Sequence, residues 1–118
     1  MIDYEPGISF EDWFKLAFKG LPVPSEFLEY LKEHPEGLSG ELGSVWEAQE
    51  IIGWTEERDL HERGVCLIGW GAGAMTHFLL GAKNGKIYIV DKHDTSIVDA
   101  TFSGMQTFIN LMQFNLPD

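Results

Sequence analysis

Apolar positions recur with a helical period early in the chain and with a strand period later. Phe10, Trp13, Phe14, Ala17, Phe18 and Leu21 lie three or four residues apart, which is one face of an amphipathic helix. Ser9 stands where an N-cap is needed, Glu11 and Asp12 occupy the first turn, and Gly20 and Pro22 stop the run. The spacing therefore predicts a first helix over 10–19. A second is predicted from Pro24 to His34, with Phe27, Leu28 and Leu31 inward and Glu26, Glu29, Lys32 and Glu33 outward. Pro35-Glu36-Gly37 ends it, and the glycine-rich stretch 36–44 reads as a loop. Ser44 followed by Glu47 has the form of a capping box, and Val45, Ala48 and Ile52 predict a short third helix closed by Gly53. Thr55 to Arg63 is dense in charge and reads as an exposed loop or a short helical turn.

The second half changes period. Val65–Trp70, Thr76–Ala82, Lys86–Asp91 and Ser96–Ala100 are rich in Ile, Val, Phe and Tyr and read as strands. Asn84-Gly85 is a hairpin signal, so the second and third of these should pair antiparallel. Ser103 with Gln106 suggests another capping box. Phe102, Met105, Ile109, Met112 and Leu116, with Phe108 beside them, mark the inner face of a last helix. The order predicts an α+β fold: a central antiparallel β-sheet meander flanked by N-terminal helices and a C-terminal helix, in a single domain over 1–118.

Charge changes this picture from fold to function. The net charge is −11, and its distribution is uneven. Residues 1–62 carry fifteen of the nineteen carboxylates against four bases, whereas 63–118 carry four of each. Such a surface repels nucleic acid and anionic membrane, both of which need Lys and Arg. It attracts a basic protein partner and speeds the encounter. No apolar run reaches the length of a membrane span, and the first residues lack the basic and apolar regions of a signal peptide, so a cytoplasmic location is expected.

Candidate chemistry is sparse. Gly69-Trp70-Gly71-Ala72-Gly73-Ala74 fits the G-x-G-x-x-G/A pattern, and Asp91 follows Gly69 by 22 residues, the spacing of a dinucleotide-binding fingerprint. The intervening segment reads as strand and turn, and only 27 residues follow Asp91, too few for a doubly wound sheet. A tight glycine turn between antiparallel strands is the expectation, with a nucleotide-binding domain built on Gly69–Ala74 as the alternative. His34, His61, His77 and His93 show no metal-ligand spacing. Cys66 lies in an apolar run that raises a thiol pKa, so a Cys66–His61 nucleophilic pair is not expected. The chain is thus read as a binding protein without a catalytic centre, cofactor or metal. Its candidate partner-binding residues are Glu47, Glu50, Glu56, Glu57, Asp59 and Glu62, with Trp54 as an apolar anchor.

Three stretches carry a resemblance to a known family. They are Leu21-Pro22-Val23-Pro24-Ser25-Glu26-Phe27-Leu28-Glu29-Tyr30-Leu31 with Gly37; Cys66-Leu67-Ile68-Gly69 through Gly73 to Phe78-Leu79-Leu80; and Lys86 through Asp94, followed by Ala100 to Ile109. In order and spacing, over about residues 21–112, they resemble the SUKH superfamily, which includes the fungal Smi/Knr cell-wall regulators and bacterial toxin-immunity proteins. The sequence departs from that pattern at Ala74-Met75 and at Val90. The resemblance implies an α+β fold without catalytic residues. It also implies neutralisation of a cognate toxin, often a nuclease, by occlusion, or else an intracellular regulatory or scaffold role. A nuclease presents a basic surface to its substrate, so the acidic half of this chain fits such a target.

Overall fold

Alternation along Val65–Asp91 decides which side chains face which way, and the rest of the fold follows from it. A computed structural model describes residues 7–112 and Phe114; the expected contribution of Leu116 lies outside the described residues. The elements, in order, are α1 (Phe10–Ala17), α2 (Ser25–Glu33), β1 (Leu38–Gly40), β2 (Gly43–Val45), α3 (Ala48–Glu57), a 3-10 turn (Leu60–Arg63), β3 (Val65–Gly71), a second 3-10 turn (Ala72–Ala74), β4 (Thr76–Gly81), β5 (Ile87–Asp91), β6 (Val98–Phe102) and α4 (Met105–Met112). The strands form one antiparallel sheet in the order β1-β2-β3-β4-β5-β6. The α+β architecture with N-terminal helices, a central antiparallel sheet and a C-terminal helix is therefore present.

Period-two alternation splits the sheet into two buried faces. Cys66, Ile68, Phe78, Leu80 and Ile87 join Trp13, Phe14, Phe27, Ile51 and Phe108 from the helices in the main core. Leu67, Leu79 and Val90 point the other way and pack with Leu60, Trp46, Trp54, Val65 and Tyr88. β3 and β4 are buried on both sides, which is why their sequences read as continuous apolar runs.

Four expectations are corrected. The segment 36–44 is not a loop throughout: Leu38–Gly40 and Gly43–Val45 form a hairpin that adds two strands to the sheet. Its partner strand accepts it through Gly69, where a side chain would overlap the Ser44 carbonyl. The third helix neither starts at Ser44, which lies in β2, nor stops at Gly53. It runs to Glu57, because Gly53 faces open space while Ile51, Ile52 and Thr55 are buried. The last strand is Val98–Phe102 rather than 96–100. Finally, Ser103 does not cap the last helix. The Gln106 N–H donates to Glu26 Oε1 (2.9 Å), so α2 caps α4 from across the structure.

The glycine run joins β3 to β4 through the Ala72–Ala74 turn, and β4 pairs antiparallel with β3. Neither a helix nor a parallel strand follows it. Ser9 caps α1 as expected, accepting from the Asp12 N–H (3.2 Å). Among the described residues, no helix is long and apolar enough to cross a membrane.

Candidate functional site

α3 organises the polar surface because it packs along the edge of β3 that β2 leaves uncovered. β2 pairs with β3 only from Gly69 to Gly71. Below that point the Trp46 N–H donates to Ile68 O (2.8 Å), and the Leu67 N–H donates to Thr55 Oγ1 (2.9 Å). Thr55 is fully buried, and its hydroxyl takes the place of a missing strand. This docking holds α3 against the sheet with Ile51, Ile52 and Thr55 inward.

At the N-terminal end of α3 the hairpin and the helix enclose a groove of about 220 Å³. Glu36, Glu47 and Glu50 line it with Ser39, Ser44 and Trp46, and no lysine, arginine or histidine does. Gln49 Nε2 donates to Ile8 O (3.1 Å), which brings the start of α1, with Glu11 and Asp12 in its first turn, to the same end. Negative charge is favourable at these helix N-termini, so the carboxylates gather there at little electrostatic cost to the helices.

Trp46 connects the groove to an aromatic cluster on the second sheet face. Its ring stacks on Trp54 (5.8 Å between centroids) and meets Trp70 edge-on (4.8 Å), while Trp54 and Trp70 lie 5.3 Å apart. All three rings are half-buried. Arg58 lies over Trp54 at 5.3 Å, a cation–π contact, and His77 flanks Trp70 at 5.9 Å.

The seven candidates read from the sequence separate into different environments. Glu47 and Glu50 line the groove. Glu56 accepts a hydrogen bond from the Trp13 indole N–H (2.9 Å) and ties α3 to α1. Trp54 sits in the aromatic cluster beneath Arg58 rather than standing free. Glu57 is exposed at the end of α3. Asp59 and Glu62 line a second cavity, described below, that also holds Arg58, Arg63 and Lys92. Two groove residues, Glu36 and Trp46, were not among the seven. Trp46 is one of four tryptophans and nothing local marked it out, while Glu36 looked like part of a helix terminator.

Histidine spacing in the sequence suggests no metal ligands, yet the fold gathers donor atoms of Asp59, His61 and Glu62 within 4.8 Å of one another. These are the groups that could hold a divalent cation. Two are exposed carboxylates, and His61 Nδ1 is buried without a hydrogen-bond partner. Cys66 is fully buried in the main core, and burial pushes its thiol well above the usual range, partly offset by the Thr55 hydroxyl. A thiol in that state is a poor nucleophile. The chain matches no protein-family model and no curated protein.

Proposed function

We propose that the chain is a binding protein that captures a basic protein partner at the Glu36–Glu47–Glu50 groove. The partner class is a toxin domain, as the SUKH resemblance implies, and the outcome is occlusion of the toxin. One observation carries the reading: three carboxylates and a tryptophan line a groove free of any basic side chain. A lysine or arginine entering it meets three carboxylates of opposite charge. An aromatic surface within about 6 Å adds on the order of 0.5–1 kcal/mol at an exposed site. The surplus of eleven negative charges in residues 1–62 extends the attraction beyond contact distance.

The test is purification of the chain with its native partner at low ionic strength, followed by identification and a salt titration. The expected partner is basic, its affinity falls with salt, and a Glu36→Gln/Glu47→Gln/Glu50→Gln variant fails to retain it. A neutral or acidic partner, or salt-independent retention, contradicts the reading. Expression of the partner alone then separates two roles. Toxicity relieved by this chain supports immunity, and a harmless partner supports the regulatory role instead.

A further inference from the structure

A second cavity, of about 480 Å³, opens between the C-terminal end of α3, the Leu60–Arg63 turn and the β5–β6 connection. The protein has only two arginines, Arg58 and Arg63, and both line it. Lys92 and His93 enter from the β5–β6 side. Three of the eight lysines and arginines in a strongly acidic chain thus converge on one space, which solubility does not require. His77 lines the same space and is only 2 % exposed.

We propose that this cavity is a binding site for a small molecule carrying a phosphate group. The bases reach it from three separate elements, so a bound group is surrounded rather than touched from one side. Planar guanidinium forks match the oxygens of a phosphate, and charge-assisted hydrogen bonds of this kind are about twice as strong as neutral ones. Burial, and then the nearby charges of Arg58 and Lys92, hold His77 below its usual pKa. At neutral pH its ring is therefore uncharged and keeps one N–H to donate. Three carboxylates, Asp59, Glu62 and Asp94, share the lining with the three bases. Asp94 Oδ1 accepts from the Ser96 N–H (3.0 Å) and hydroxyl (2.5 Å), while Asp59 and Glu62 gather with His61. Arg63 donates to Thr95 Oγ1 (2.7 Å) and Arg58 rests on Trp54, and among the described residues no carboxylate hydrogen-bonds either guanidinium. The volume exceeds that of a bare ion and leaves room for an organic portion. No residue is shared with the acidic groove, so the site stands or falls apart from the reading above.

The experiment is an NMR titration of the purified chain with inorganic phosphate, glycerol phosphate, glycerol and acetate, following the His77 and His93 ring signals. Both phosphates should give saturable shifts at these rings, glycerol none, and acetate much weaker ones. Arg63→Gln and Lys92→Met change exposed side chains and leave the core intact. Each should weaken phosphate binding by roughly tenfold, the loss of one charged hydrogen bond. Absence of saturation at millimolar phosphate overturns the proposal. Acetate matching phosphate overturns the phosphate assignment, and unchanged affinity in both variants puts the ion elsewhere on the protein.

Discussion

Single residues show where the fold depends on one atom. Thr55 Oγ1 is the acceptor for the buried Leu67 N–H at an edge no strand covers. Thr55→Val keeps the shape and deletes the acceptor, which leaves a buried donor unpaired. The expected cost is about 1–3 kcal/mol, read as a lower urea midpoint with an unchanged slope. His77 gives the molecule a pH dependence of known sign. Burial lowers its pKa first, and Arg58 and Lys92 add to the shift; His93 lowers it further and Asp91 opposes. Below an unfolded value of 6.5 the unfolded chain binds the proton that the folded one resists. The stability linked to His77 is thus fully present above pH 6.5 and is lost as the pH falls toward the depressed folded value. Urea midpoints measured on both sides of that value should diverge more for the wild type than for His77→Gln. Equal slopes in the two proteins would remove His77 as the cause.

Elements reveal why some of the structure was legible and some was not. α1, α2, β3, β4 and β5 carry their own apolar period, and each forms close to where that period puts it. β1 and β2 contribute one buried hydrophobic each, Leu38 and Val45, so no alternation announces them. Their pairing is set by β3, whose Gly69 lets the hairpin approach, and that is a relation between distant segments. Gly53 misled for the opposite reason: a glycine on the open side of a helix costs about 1 kcal/mol, and buried neighbours more than offset it. The candidate site divides the same way. Glu47 and Glu50 were visible as acids near a helix start, whereas Glu36 and Trp46 join them only once the hairpin folds back. The Glu26 cap of α4 is equally non-local. A Cβ at Gly104 would meet the Glu26 carboxylate, the end of a flexible side chain, so the cap would have to shift to admit one. Glu26→Ala should cost about 0.5–2 kcal/mol, and the loss should show as faster hydrogen exchange of the Gln106 amide than in the wild type.

At the scale of the whole molecule, charge is partitioned rather than merely abundant. The acidic surplus belongs to the first 62 residues, while both arginines and Lys92 are drawn to one cavity beyond the far end of α3. The two ends of that helix therefore differ: a groove without bases lies at its start, and past its end a cavity mixes three bases with three carboxylates. A basic partner approaching such a particle experiences a field that orients it before contact, and salt screens that field over roughly 8–10 Å at physiological ionic strength. Exposed groove carboxylates act mainly on the rate of encounter, because they remain hydrated until the partner arrives. Replacing Glu36, Glu47 and Glu50 by glutamine should therefore lower the association rate by roughly tenfold at low salt. The dissociation rate should change much less, and the difference from wild type should shrink as salt is added. Stopped-flow mixing with the purified partner measures both rates. An effect confined to dissociation and indifferent to salt would mean that the three carboxylates form buried, paired contacts, and that the field of the acidic half plays no part in capture.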